Sequence, residues 1–415
     1  MLSQALLLAG YAGTSALALA LPSNLNANQG QALTNGLIYV TSYAGTVTTL
    51  NLTIVGTGLQ TVASTTDCGV QPSWLTLDKT DPSIVYCVDE SWGKTNGTLA
   101  SFRKAKNGSL SLLSKVGTIG GPVNAVVYGE GNRGLAVADY AGGGFSTFDI
   151  AHPSTLAPLQ SQVFTLPHPG VVPDRQEAPH PHEAILDPTG DYLLVPDLGS
   201  DLVRIFAINR TSLAYTPVTP LVAAPGSGPR HGVFLTTEAG KTFFYLIAEL
   251  ANTITGYEVT YNKKNSTLSF TQFYLSGSHG LGNAVPAGAA AAEIALSPDK
   301  RFLIASSRNE ASFTIPNFDP KNATTIPSDA LINFSVDADN GNLTAIQTVP
   351  AGGMVPRHFS INKAGTLLGV GLQGDGRVVI VARDPRTGLL ESDGHYVANA
   401  SVAGGVNCVI FDEYY

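Results

Sequence analysis

The sequence predicts an all-β protein: a seven-bladed β-propeller closed by pairing of its C-terminal strand with N-terminal strands. Three observations carry that expectation. One apolar strand recurs seven times, at intervals of 47 to 65 residues. Each interval has room for three or four short strands and shows no convincing amphipathic helix, and strand-built repeats of that period are propeller blades. The repeat is also out of phase with the termini, because its first copy lacks a partner strand before it and its last partner strand has nothing after it.

The recurring strand reads GLIYVTSY (36–43), IVYCVDE (84–90), GLAVADY (134–140), YLLVPDL (192–198), FYLIAEL (244–250), FLIASSR (302–308) and LLGVGLQ (367–373). Six copies follow a first strand in the same repeat: SWLTL (73–77), NAVVY (124–128), EAILD (183–187), HGVFL (231–235), EIALS (293–297) and HFSIN (358–362). The turns between them are built on Pro, Asp and Gly, as tight hairpins require. Copy 36–43 has no first strand ahead of it, and VNCVIF (406–411) is a first strand without a successor. Pairing these two closes the ring and removes the open edges of a linear sheet. The result is one propeller domain over 21–415. Segments 151–178 and 275–292 are longer and rich in Pro, Gly and Ala; both precede a first strand, so they belong at the same end of the ring as the first-strand starts.

Composition narrows the function. The chain has 415 residues, 13% of them charged, a net charge of −8 and no Lys/Arg cluster, which argues against nucleic acid as a partner. Residues 1–20 are apolar and end in Ala18-Leu19-Ala20, the length and cleavage pattern of a signal peptide, although no Lys or Arg opens the segment. No second apolar stretch is long enough to span a membrane. Asn-x-Ser/Thr sequons at Asn51, Asn96, Asn107, Asn209, Asn265, Asn322, Asn333, Asn342 and Asn399 suit a secreted protein carrying N-glycans. Of the cysteines, Cys68 and Cys87 are the expected bridge and Cys408 a buried thiol in an apolar strand.

Hairpin geometry locates the chemistry. The start of each first strand lies beside the end of each second strand, and all first strands run the same way along a propeller channel. One mouth therefore gathers Ser73, Asn124, His182, Arg230 with His231, Glu293, Arg357 with His358, and Asn407 from strand starts. Strand ends add Tyr43, Glu90, Asp139, Asp197, Glu249, Arg308 and Gln373. Arg forks onto carboxylate or carbonyl oxygen, and His or Glu moves protons, so the set suits a small anionic or polyhydroxylated ligand. Bland readings stand beside it. Arg230 and Arg357 could tie neighbouring blades, Glu293 could neutralise an Arg, and Asp89, Asp139 and Asp197 recur in one slot as structural residues do. His180 and His182 form a His-x-His pair with no further ligand nearby, so no metal is expected. Gly129, Gly131 and Gly134 spell G-x-G-x-x-G inside a hairpin, where no dinucleotide site forms, and Ser278-His279 is an isolated pair.

At HPHEAILDPTGDYLLVPDLGSD, GSGPRHGVF, AAEIALSPDKRFLIASSRNE and VPRHFSINKAGTLLGVGLQ the chain resembles the seven-bladed lactonase propellers. These include propeller-type 6-phosphogluconolactonases and the fungal 3-carboxy-cis,cis-muconate lactonizing enzyme. The resemblance implies a catalytic set of His182, Arg230, Glu249 and Arg308, with His180, His231, Glu293, Arg357, His358 and Gln373 binding substrate. The signal-like segment, the sequons and the extra His231, Arg357 and His358 are closer to exported fungal aldonolactonases than to the intracellular muconate enzyme. The expectation is a secreted hydrolase of a sugar lactone, its small-molecule partner a lactone or polyhydroxy acid. Water would be activated by His182 or Glu249 and the oxyanion held by Arg230 and Arg308, without metal or cofactor. A muconate cycloisomerase and a non-catalytic secreted adhesin are the alternatives.

Overall fold

The computed structural model describes residues 36–53, 58–262, 267–391 and 393–413; the signal-like segment 1–20 and the sequon at Asn265 lie outside the described residues. These residues form seven four-stranded antiparallel sheets, the blades of a propeller, and no α-helix. The G-x-G-x-x-G string holds a single 3-10 turn, Glu130–Asn132, between two strands of a hairpin. From the second blade to the seventh, the innermost strands are Pro72–Leu77, Pro122–Tyr128, Ile185–Leu186, Pro229–Thr236, Ala290–Leu296 and Pro356–Ile361. First strands of successive blades contact one another around the channel, except between the fourth and fifth blades, where Tyr192–Asp197 rather than the two-residue first strand meets Pro229–Thr236. The sixth blade carries an inserted hairpin, Phe313–Pro316 with Thr325–Ser328.

The first blade closes the ring as the sequence predicts. Its innermost strand is Val406–Phe411, which pairs with Gly36–Ser42 through Ile38 opposite Phe411, Val40 opposite Val409 and Thr41 opposite Cys408. Second strands such as Ile84–Asp89, Tyr192–Asp197 and Leu367–Leu372 are buried at every position. Each is sandwiched between two neighbouring blades, so both faces are apolar and the sequence runs without alternation. The core is thus a ring of inter-blade layers, such as Leu194 and Val203 of the fourth blade packed with Phe244 and Leu246 of the fifth. Cys68 and Cys87 are disulfide-bonded, and Cys408 is a buried free thiol in the same cluster.

At the end of the ring opposite the mouth, hairpin turns are closed by side chains. Asp187 accepts from the backbone N–H of Asp191 (2.9 Å) and Tyr192 (2.7 Å), and Asn362 does the same for Thr366 and Leu367 in the last blade.

At the mouth end the first strands depart from expectation. Most begin earlier than their apolar cores suggest, and most carry a β-bulge at the entry. Register shifts fall between Pro72 and Trp74, Pro122 and Asn124, Pro229 and His231, and Pro356 and His358. Proline brings no N–H to the ladder, so it sits where pairing begins. The residue after it, Ser73, Val123, Arg230 or Arg357, is the extra one. The fourth blade differs again: its ladder is only Ile185–Leu186, with an isolated bridge from Pro181 to Asp197.

Candidate active site

In a regular strand, adjacent side chains point to opposite faces. A bulge re-aims one of them, and here it lets neighbouring residues share the channel. The small cavity at the mouth is lined by Ser73, Trp74, Val123, His182, Arg230, His231, Arg357, His358 and Asn407. Three of the contributions are adjacent pairs, Ser73-Trp74, Arg230-His231 and Arg357-His358, each at a bulge.

Glu249 is the charge centre beside this cavity. Its Oε2 lies 3.0 Å from Arg230 Nε and 2.8 Å from Arg308 Nη2, and its Oε1 lies 2.7 Å from Arg175 Nη2. Burial alone would raise the Glu249 pKa, but Arg308, Arg230 and Arg175 outweigh it and hold the carboxyl far below the carboxylate range. Glu249 is therefore a fixed anion that orients guanidinium groups. Arg230 is 1% exposed and donates Nη1 to Ala292 O at 2.6 Å. Burial pushes its pKa down to about 10, which leaves it a cation at neutral pH. Arg308 donates to Ala290 O and Ala291 O, both at 3.1 Å. Arg357 is held on the other side by Tyr43 OH (2.7 Å) and Glu90 Oε1 (3.1 Å), with Trp92 Nε1 donating to the same Glu90 carboxylate. Both cavity arginines thus also bridge blades, and the structural and ligand-facing readings coincide.

The imidazoles form a second group. His182 Nδ1 is 3.1 Å from His231 Nε2, His231 Nδ1 is 3.1 Å from Glu293 Oε1, and His358 Nε2 is 3.8 Å from Glu293 Oε2. Burial, reinforced by Arg230, His231, Arg357 and Arg308, holds His182 well below the ordinary histidine value. Burial also lowers His231, and lowers His358 to about 4 against the pull of Glu293. Burial would raise the Glu293 pKa, but His231 with its hydrogen bond, His358 and the Arg230 guanidinium outweigh it and keep the carboxyl ionised. The half-buried Glu183 is instead pushed well above the carboxylate range, first by desolvation of its carboxyl and then by the Glu293 charge; its Oε2 accepts from Gly232 N at 2.7 Å.

Not every predicted residue reaches the cavity. His180 is stacked on Tyr140 (4.4 Å) and bonded to Tyr140 O (3.1 Å) and Glu177 Oε1 (3.0 Å), so it does not line the wall. The strand that would align it with His182 is too short to impose that alternation. Gln373 donates to Asn407 Oδ1 at 2.7 Å and acts on the wall through that residue. Glu293, Glu249 and Arg308 stand behind the lining residues. Asp89 and Asp197 are structural: Asp89 accepts from Gln71 N, and Asp197 from His180 N and Arg204 Nε. Ser278 lies 3.3 Å from His279, which pairs with Glu310, but Ser278 is fully buried and cannot meet a substrate. Sequence reasoning missed Arg175, Trp74 and Glu183. Only Arg175 left a signal, its place in the long loop 151–178. Among the described residues no cluster of three or more His, Cys, Asp or Glu is arranged to hold a metal ion.

Comparison with known proteins follows the same line. The family profile described as "Lactonase, 7-bladed beta-propeller" matches residues 37–411. A protein of Arthroderma benhamiae designated a probable 6-phosphogluconolactonase is 29% identical over 363 residues, 86% of each chain. The 6-phosphogluconolactonase of Formosa agariphila is 30% identical over 332 residues, 79% of this chain and 86% of its own. A Bacteroides fragilis crystal structure, provisionally designated a 6-phosphogluconolactonase, superposes with a TM-score of 0.74 at 25% identity, covering 92% of this chain and 99% of that one.

Proposed function

The chain belongs to the seven-bladed β-propeller lactonase family, and from that premise we propose that it is a secreted, metal-independent hydrolase of a sugar lactone, with His182 as general base. The observation that carries the assignment is the division of labour between two buried groups. Glu249 is pinned between three arginines, which overcome its burial and hold it ionised, so it is a poor proton acceptor at neutral pH. His182 is held neutral, borders the cavity and, among the described residues, has a hydrogen-bond partner on Nδ1 only.

The reaction follows from that arrangement. Water bound at His182 Nε2 attacks the lactone carbonyl carbon as its proton passes to Nε2. The tetrahedral oxyanion forms against Arg230, whose Nη2 has no protein acceptor among the described residues, with Arg308 supporting from behind Glu249. The ring C–O bond then breaks, and the leaving alkoxide takes the proton back from His182. The product is the open hydroxy acid and the base is regenerated. Arg357 and Asn407 offer donors to ring hydroxyls. The relatives named 6-phosphogluconolactonase favour hydrolysis over muconate cycloisomerisation. Their name and the half-exposed guanidinium of Arg175 at the mouth favour a lactone bearing an anionic group.

Export is supported by the disulfide, which suits an oxidising compartment, and by exposed sequons at Asn96, Asn107, Asn209, Asn322, Asn342 and Asn399. Asn333 is excluded as an acceptor in the folded protein, since it is fully buried and donates to Gly388 O. The test is acid release from gluconolactone and from its 6-phosphate, followed by pH-stat, beside loss of ultraviolet absorbance with carboxymuconate. Wild-type turnover of a sugar lactone that His182→Ala abolishes is expected. Turnover of carboxymuconate alone, or full activity in His182→Ala, would overturn the assignment.

A further inference from the structure

We propose that His231 and Glu293 are positioning residues that fix His182 as its Nδ1–H tautomer, an inference that rests on the reading of His182 as the base. Two groups fix the proton arrangement: the Val409 amide sets His358, and the Glu293 carboxylate sets His231. Val409 N, in the strand that closes the ring, donates to His358 Nδ1 at 3.1 Å. A neutral His358 therefore carries its proton on Nε2, the nitrogen 3.8 Å from Glu293 Oε2. Glu293 Oε1 accepts from Ile294 N and faces His231 Nδ1, both at 3.1 Å. An ionised carboxylate only accepts, so His231 is protonated on Nδ1 and its Nε2 is a bare lone pair. That lone pair faces His182 Nδ1, which must then donate. His182 Nε2 is left as the unprotonated nitrogen, at the cavity and with no protein partner among the described residues.

The chain of contacts crosses consecutive blades: His182 in the fourth, His231 in the fifth, Glu293 in the sixth and His358 in the seventh. Trp74, from the second, packs edge-on against His231 (6.0 Å) and His358 (4.6 Å), which restrains both rings. Glu293 does not reach the cavity, so it works through His231 rather than on the substrate. When His182 takes a proton from water, its imidazolium donates Nδ1–H to His231, and the Glu293 anion behind that ring opposes the repulsion of Arg230, Arg357 and Arg308. Tyr140 presents only a ring edge at 5.4 Å. A carboxylate-oriented histidine in the wrong tautomer loses most of its power as a base.

The test combines spectroscopy with kinetics. In protein labelled with nitrogen-15 at histidine, the His182 resonances are assigned by their loss in His182→Asn. Wild type should show Nδ1 protonated and Nε2 bare. Glu293→Gln should populate the other tautomer and lower kcat by about 10²-fold, with KM changed far less. It should also move the acid limb of kcat/KM to lower pH, because the anion supporting the imidazolium is gone. Glu293→Asp should recover part of the rate. If Glu293→Gln does not fold, His231→Phe removes the acceptor from His182 and should give the same tautomer change. An Nε2–H His182 in wild type, or a tautomer unchanged in these variants, would overturn the inference. The expected tautomers in a protein that turns over no lactone would instead sink the assignment of His182 as base while leaving the relay intact.

Discussion

Arg175 places its Nη2 2.7 Å from Glu249 Oε1, joining a long loop to the strand end of the fifth blade. The guanidinium is 42% exposed, so its ion pair adds little to stability, and its importance lies in the mouth. Arg175→Ala should unfold within about 1 kcal/mol of wild type. It should raise KM about tenfold for a phosphate-bearing lactone, the loss of one charge-assisted hydrogen bond, and change KM for gluconolactone much less. Equal effects on the two substrates, measured by initial rates, would remove Arg175 from anion recognition.

Glu249→Gln tests the opposite partner. It would leave Arg230 buried beside Arg308 without their shared anion, and breaking a buried pair from one side costs about 3–5 kcal/mol. Urea unfolding should show a loss of that order together with loss of activity. A variant that keeps wild-type stability would mean that the arginines find another counterion.

Arg230→Lys keeps the charge but not the fork that spans Glu249 and Ala292 O. If Arg230 holds the oxyanion, kcat should fall about 10²–10³-fold while the protein remains folded by circular dichroism. An intact kcat would transfer the role to Arg357.

The buried titratable groups set a pH optimum for stability. His182, His231 and His358 are neutral in the folded chain and protonate in the unfolded chain below about pH 6.5. Asp139 and Glu183 hold protons in the folded chain at pH values where the unfolded carboxyls have lost them; burial is the main cause in both, and Asp139 Oδ1 has no hydrogen-bond partner among the described residues. Below about pH 6 the unfolded histidines bind more than the two protons held only by the folded carboxyls, and toward about pH 4.5 unfolded Glu249 and Glu293, both depressed in the folded chain, add theirs. Stability should fall with acid there, by roughly 1.4 kcal/mol per pH unit for each net proton. Above pH 6.5 only the two carboxyls differ, so stability should fall as pH rises through their folded values. Urea midpoints from pH 4.5 to 8.5 should peak near neutrality, and Asp139→Asn should flatten the alkaline side. A steady rise to pH 8.5 would contradict this.

Blade count and ring closure were legible in the sequence because second strands bury both faces and therefore repeat as unbroken apolar runs. The pairs Arg230-His231 and Arg357-His358 were legible too, since they open first strands. Their joint exposure to the channel was not, because it depends on bulges that alternation does not encode. His180 was misread for a related reason: two residues from His182, it would share a face only on a strand longer than Ile185–Leu186. Arg175 comes from a loop with no strand register, and Glu183 is hidden beside a histidine that draws attention first. The three arginines on Glu249 come from positions 175, 230 and 308, and only folding brings them together.

The bulged entries have a consequence for how such a site can change over evolutionary time. At the fifth and seventh blades two successive codons both address the ligand chamber, one contributing a guanidinium and the other an imidazole. At the seventh blade Arg357 is held by Tyr43 and Glu90, apart from the Arg230–Glu249–Arg308 cluster, so its codon can be rewritten without disturbing the oxyanion site. Substrate preference and proton placement can therefore drift separately, so a scaffold of this kind can acquire a new substrate while keeping its proton wiring.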